Sequence, residues 1–151
     1  LRQHLEIDPA TGLMNYACSS KVLTQQIQDA QQRNQPFSLA VLRIDRWTQF
    51  YHQYGYFESQ RALRLIAQHL RQSFGATATL AHWMEAEFVV GWLGLTREEG
   101  LRWSEAVLFE IQQTDFYTEQ QQQFHIILNV GVSQWYEGLS LNQLYCETTQ
   151  H

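Results

Sequence analysis

The chain has 151 residues, of which 44% are hydrophobic and 13% aromatic, as is usual for one folded domain rather than a disordered segment. Its formal net charge of -5 at pH 7 leaves no basic patch for a phosphate backbone, so we expect no nucleic-acid binding. The two cysteines, Cys18 and Cys146, are too few for a disulfide framework or a zinc site.

No apolar run approaches the length of a membrane span, so we expect no membrane contact by this segment. The two cysteines are expected to be reduced thiols, as in a cytosolic protein, so we expect a cytoplasmic location. The chain starts at Leu1 without an initiator methionine. We therefore expect a single domain over residues 1–151, excised from a larger multidomain protein.

The first half of the chain alternates helical and strand patterns. Apolar residues at helical spacing predict a first helix that ends near Pro36: Val22, Leu23, Ile27 and Ala30. The apolar run 37–44 predicts a central strand. A short helix over 46–54 and a long amphipathic helix over 57–74 follow, separated by Gly55.

The second half begins with a predicted hairpin, in which a tight turn joins strands 77–83 and 87–93. Thr96 and Glu99 form a capping-box pattern that opens a helix to about residue 114. A strand over 124–133 and a last short helix over 139–147 complete the order. These elements predict an α/β sandwich (α+β) with a mixed, mainly antiparallel central sheet flanked by helices.

Four short motifs occur in a fixed order along the chain. They are DPATGLMN at 8–15, LRIDRW at 42–47 with Tyr54-Gly55-Tyr56 after it, the hairpin sequence AHWMEAEFVVGW at 81–92, and LNVGV at 128–132. In this order and spacing they resemble the GGDEF domains, bacterial domains that make cyclic di-GMP from two GTP molecules. The resemblance implies the palm-like fold of nucleotidyl cyclases.

The signature positions of that family are altered in this chain. They read Met84, Glu85, Ala86, Glu87 and Phe88, and the last two match. Glycine at the first two positions would let the turn approach phosphates closely, because glycine has no Cβ. Met84 and Glu85 would instead crowd the phosphates, and Glu85 would repel them.

The resemblance also implies a magnesium site, formed in the family by carboxylates from the strand motif and the signature. The corresponding former metal site here is Arg43, Asp45 and Ala86. Arg43 is cationic and Ala86 has no ligand atom, whereas Mg²⁺ requires oxygen ligands. We therefore expect no metal and no cofactor, and an ion pair between Arg43 and Glu87 instead.

The family's guanine-binding positions correspond to Tyr51 and Gln60 in this sequence. Gln60 can still form hydrogen bonds with a base, whereas Tyr51 is larger than the family's asparagine and is expected to fill the pocket. The family's product-inhibition motif corresponds to residues 75–78, which contain neither Arg nor Asp. No Lys or Arg follows Arg102, so the family's late phosphate-binding residues are missing.

From these changes we expect a protein that is not an enzyme. It would be a degenerate GGDEF domain serving as a regulatory or protein-interaction module in bacterial cyclic di-GMP signalling. Its partners would be neighbouring domains of the same chain or a protein partner, with a homodimer possible. Two alternatives stay open: a non-catalytic GTP sensor, and a residual diguanylate cyclase.

Overall fold

A central four-stranded antiparallel sheet organises the molecule. The computed structural model describes residues 6–150, so the ends of the expected domain, residues 1–5 and 151, lie outside the described residues. The strands of the sheet are β1 (Phe37–Ile44), β2 (Thr79–Met84), β3 (Glu87–Leu93) and β6 (Leu128–Gln134). Their order across the sheet is β2-β3-β1-β6. A separate short hairpin pairs β4 (Phe116–Tyr117) with β5 (Gln123–Phe124).

In the part of the chain that the structure describes, helices flank the sheet, and their ends follow from local sequence. They are α1 (Tyr16–Arg33), α2 (Trp47–Phe74), α3 (Arg97–Gln113) and α4 (Leu141–Thr149). The predicted capping box of Thr96 and Glu99 is present at the start of α3. The predicted pair of helices is one element, α2, in which Gly55 has a non-helical backbone with φ of 84° and marks the kink. None of the helices within residues 6–150 combines the length and the hydrophobicity of a membrane-spanning segment.

Strand β1 is buried on both faces of the sheet. Its alternate residues Phe37, Leu39 and Val41 pack with α1 and α4, whereas Ala40, Leu42 and Ile44 pack with α2 and α3. Because side chains alternate across a strand, one continuous apolar run supplies two cores. The predicted sandwich of helices on a mainly antiparallel sheet is therefore confirmed.

The predicted strand over 124–133 is wrong at its start. The strand β6 begins at Leu128, which lies opposite Ile44, the last residue of β1. Upstream residues have no further β1 residue with which to form a ladder. The backbone of Gln123 and Phe124 pairs instead with residues 116–117, through a turn in which Gln121 has a φ of 67°.

Helix α4 lies unusually close to strand β6 at Gly131. A Cβ atom at Gly131 would lie 2.5 Å from the backbone carbonyl oxygen of Thr148. A backbone atom cannot rotate away as a side chain can. The missing side chain of Gly131 therefore sets how closely α4 approaches the sheet.

We predict that Gly131→Ala lowers the free energy of unfolding by about 1–3 kcal/mol, because the added methyl group overlaps the α4 backbone. Denaturant unfolding measures this change. Asn129→Ala on the same strand is the matched control; Asn129 is exposed, so its loss should change stability by no more than about 0.5 kcal/mol. Equal stability of Gly131→Ala and the unmodified protein would contradict this account of the contact.

Candidate functional site

Arg43 and Glu87 face each other at the ends of two neighbouring strands. They are direct partners in the register of β1 and β3. The Arg43 Nε atom lies 3.3 Å from Oε2 of Glu87, which confirms the predicted ion pair. The side chain of Arg43 is 49% exposed and that of Glu87 only 6%, so the pair joins a buried carboxylate to a cation at the surface.

Tyr145 of α4 is a second partner of the buried carboxylate. Its hydroxyl donates a short hydrogen bond to Oε1 of Glu87. The Tyr145 ring packs against Trp83, with ring centroids 5.0 Å apart, and the indole N–H of Trp83 donates to Ser19 Oγ at 2.8 Å. Both carboxylate oxygens of Glu87 thus have a donor, as a buried carboxylate requires.

The role of Tyr145 could not be predicted from the sequence. The pattern of residues 139–147 indicates only a short helix, and nothing in it relates Tyr145 to a residue nearly sixty positions earlier. The contact between the Trp83 and Tyr145 rings accompanies this hydrogen bond, but it too is known only from the structure.

Burial raises the pKa of Tyr145 to about 12, and the hydrogen bond to Glu87 and the charge of its carboxylate act in the same direction. Arg43 opposes this shift in the pKa of Tyr145. At neutral pH the phenol is therefore a neutral donor. This fixes the roles in the network: Arg43 and Tyr145 donate, and Glu87 accepts.

The signature turn, residues 84–86, connects β2 to β3 at the same end of the sheet. Met84 is 61% exposed, and Glu85 is also exposed. Ala86 contributes its backbone carbonyl, which accepts a hydrogen bond from Ile44 N at 2.9 Å. Phe88 is fully buried in the core formed with α2 and α3. Of the five signature residues, Glu87 and Phe88 are therefore the two whose side chains are buried.

The turn is also held on its β2 side by His82. The His82 ring lies with Nδ1 2.9 Å from Asp8 Oδ2 and Nε2 3.0 Å from the carbonyl oxygen of Glu85. Nothing in the spacing of residues 8 and 82 indicates this contact.

The predicted base-pocket residues lie on either side of the kink in α2. Tyr51 precedes Gly55 and is 37% exposed, with its ring edge against His52. Gln60 follows Gly55 and is half-buried. The structure does not test whether either contacts a base, so their assignment to a former base pocket stays a prediction.

The residues at the predicted metal site do not fit a Mg²⁺ ion in this arrangement. Asp45 is exposed, and its backbone N–H bonds to the carbonyl of Ile127 at 2.8 Å. Arg43 presents a guanidinium, and both oxygens of Glu87 already accept hydrogen bonds. Among residues 6–150, no group of three or more His, Cys, Asp or Glu side chains could hold a metal ion.

A protein-family model matches nearly the whole chain. The model described as "Diguanylate cyclase, GGDEF domain" matches residues 5–150. The chain belongs to the GGDEF family. It is thus a GGDEF domain of cyclic di-GMP signalling, as the four sequence motifs indicated.

Individual relatives agree with this assignment. The diguanylate cyclase DgcP of Pseudomonas aeruginosa is 33% identical over 89 residues, which are 59% of this chain but only 13% of that protein. The FimX GGDEF domain of the same species has a TM-score of 0.86 at 21% identity, covering 93% of this chain and 90% of that one. The GGDEF domain of DgcB from Caulobacter crescentus, solved in complex with c-di-GMP, has a TM-score of 0.93 at 17% identity, covering 99% and 86%. At these identities the two structures establish the fold.

The expectation that the chain is not an enzyme is corrected by these comparisons. The matching family model is that of diguanylate cyclases, and DgcP is itself a diguanylate cyclase. The expectation was based on lost residue types at positions 43 and 84–86. Such losses describe the side chains present at a site and do not measure turnover, so the chain is assigned to an enzyme family.

We predict that the ionisation of Tyr145 is displaced to about pH 12. The pKa of Tyr145 in the folded protein exceeds the value of about 10 for a free tyrosine. The stabilisation of the folded protein by the protonated phenol is therefore fully present below about pH 10 and is lost as the pH rises towards 12. Ultraviolet titration of tyrosinate, taken as the difference between the unmodified protein and Tyr145→Phe, measures this ionisation.

Glu87→Gln is the matched control, since it keeps the shape of the side chain and removes its charge. Tyr145 should then ionise at lower pH than in the unmodified protein. A difference titration that is the same with and without the Glu87 charge would show that the carboxylate does not act on this phenol.

Proposed function

We propose that this GGDEF domain is a regulatory module of cyclic di-GMP signalling that acts through contact with a neighbouring domain of the same chain or with a partner protein. The network of Arg43, Glu87 and Tyr145 carries the proposal. It joins β1, β3 and α4 through side chains at the position where the family resemblance predicts metal carboxylates. We place the module in the cytoplasm, where free thiols such as Cys18 and Cys146 stay reduced.

The exposed signature turn supports contact with a protein. Met84 offers an apolar side chain that is 61% exposed, and Glu85 offers a negative charge beside it. A flexible apolar side chain next to a charge suits a protein surface better than it suits a triphosphate, which Glu85 would repel.

A guanine-nucleotide sensor is the second candidate, and Gln60 favours it. Its amide is half-buried on α2 and has no hydrogen-bond partner in the described part of the chain. An amide can donate to and accept from the edge of a base. Diguanylate cyclase activity, the reaction of the family, is a third possible function and is measured in the same experiments.

We predict that Mg²⁺ with GTP leaves the thermal unfolding midpoint of the protein unchanged, because Arg43 stands where a metal carboxylate would be needed. Arg43→Asp is the comparison variant. Without metal it should be less stable, since a second carboxylate then faces the buried Glu87. With Mg²⁺ its midpoint should rise, because a ligand that binds the folded state stabilises it.

A rise in the thermal unfolding midpoint of the unmodified protein on addition of Mg²⁺ with GTP would overturn this account of the site. Conversion of GTP to cyclic di-GMP is assayed on the same samples by chromatography. Unchanged stability of Arg43→Asp together with Mg²⁺ binding would show that the ion pair contributes nothing to the fold.

We also predict that Glu85→Arg in the intact protein changes the cellular level of cyclic di-GMP at least about twofold, because reversing the charge of the exposed turn disturbs a protein contact. Glu98→Arg is the control, an equal charge reversal at an exposed position in the first turn of α3. The proposed contact surface is wrong if both variants act alike or neither has an effect.

A further inference from the structure

The ring of His82 lies between two hydrogen-bond acceptors. Its Nδ1 atom is 2.9 Å from the carboxylate oxygen Oδ2 of Asp8, and its Nε2 atom is 3.0 Å from the backbone carbonyl oxygen of Glu85. The side chain of His82 is 9% exposed and that of Asp8 19%, so water reaches the ring poorly.

This arrangement requires a particular protonation state. A neutral imidazole carries one N–H group and can donate to only one of the two oxygens, whereas an imidazolium donates to both. The same Oδ2 atom of Asp8 accepts from the Thr11 backbone N–H at 3.0 Å and from the Thr11 hydroxyl at 2.6 Å, as expected of an ionised carboxylate. With a neutral ring, one of the two contacts of His82 would set a lone pair against a lone pair.

The two acceptors belong to different parts of the molecule. Asp8 lies in the loop of residues 8–13, which we call the amino-terminal loop. Glu85 lies in the signature turn of residues 84–86. The backbone N–H of His82 also donates to the Met14 carbonyl at 3.0 Å, so strand β2 already lies against the segment that follows the loop. The imidazole extends this connection from the amino-terminal loop to the carbonyl oxygen of Glu85 in the signature turn.

We propose that His82 is a protonation-dependent clamp that couples the amino-terminal loop to the signature turn. As the imidazolium it holds Asp8 and the Glu85 carbonyl together. As the neutral imidazole it keeps its one N–H on the carboxylate of Asp8, the stronger acceptor, and releases the Glu85 carbonyl. The proposal rests on the proposed regulatory function, since it describes how the conformation of that turn is controlled.

Among residues 6–150, few other charges lie near the His82 ring. Glu87 on β3 is occupied by Arg43 and Tyr145. Arg71 of α2 donates to the Gly12 carbonyl at 3.1 Å within the amino-terminal loop. Glu85 presents its carbonyl to His82, and its own side chain is exposed. The remaining neighbour from β3 is the Phe88 ring, at a centroid distance of 5.0 Å. The carboxylate of Asp8 is therefore the charge in contact with the ring.

The chain contains a matched control for this pair. His125 Nε2 lies 3.1 Å from Asp115 Oδ1 beside the β4-β5 hairpin, with side chains 53% and 55% exposed. This is also a His–Asp contact, but it is open to water, and only one ring nitrogen of His125 takes part in a hydrogen bond within the described chain. Substitution of His125 therefore tests for general effects of losing a histidine.

Amide hydrogen exchange of the 151-residue chain, followed residue by residue by NMR at about pH 5.5 and about pH 8, tests the clamp, because histidine titrates between these values. After correction for the pH dependence of intrinsic exchange, protection of residues 84–86 should fall about fivefold at the higher pH, the equivalent of one ordinary hydrogen bond. His82→Gln should show the lower protection at both pH values, and His125→Gln should behave as the unmodified protein does.

Two further measurements keep the test decisive. His82→Arg, which stays charged and has several donors, should keep protection high at both pH values. In the unmodified protein, ¹⁵N shifts of the His82 ring should show both nitrogens protonated at the lower pH. The clamp is excluded if protection of the turn does not depend on pH, if His125→Gln has the same effect as His82→Gln, or if one ring nitrogen stays unprotonated. Exchange reports on the turn without nucleotide or partner, so failure of the clamp is distinguishable from failure of the proposed function.

Discussion

The buried carboxylate of Glu87 is the constraint on which the candidate site depends. A carboxylate removed from water is costly unless each oxygen gains a donor, and here the donors come from two other elements. Arg43 is fixed by the register of β1 and β3. Tyr145 reaches Glu87 because α4 packs closely on β6, which the absent side chain of Gly131 allows. The geometry of the site thus follows from the packing of the whole sheet.

Much of the fold could be predicted from the sequence because its signals are local. The apolar run of β1 indicates a strand that is buried on both faces. The pair Thr96 and Glu99 predicts the start of α3. The strand over 124–133 was wrong because its beginning depends on where β1 ends. Phe124 and Ile126 are buried outside the central sheet. In the sequence, such buried apolar residues look the same as those of a strand. The periodicity of apolar residues does not indicate which other strand a segment pairs with.

The candidate site was predictable only in part, for the same reason. Arg43 and Glu87 could be paired because the family resemblance placed both at one location. Tyr145 and the contact between Asp8 and His82 depend on approaches between distant segments, and no motif in this chain marks them. The error about enzyme membership has a different origin. Residue losses at a signature bear on metal and phosphate binding, whereas family membership is established by a match over residues 5–150.

The signature turn is held from two directions by interactions of different kinds. On the β1 side, the Ala86 carbonyl accepts from Ile44 N, and the adjacent Glu87 is fixed by Arg43, whose charge does not change over physiological pH. On the other side, the Glu85 carbonyl faces the His82 ring, which in the proposed clamp donates to both of its acceptors only when both ring nitrogens carry a proton. One side of the turn is therefore anchored permanently and the other conditionally. Loss of the conditional contact would free Met84 and Glu85, the exposed part of the turn, while the sheet beneath it stays intact. A change confined to the surface in this way suits a regulatory contact, because it alters what a partner meets without the energetic cost of repacking the core.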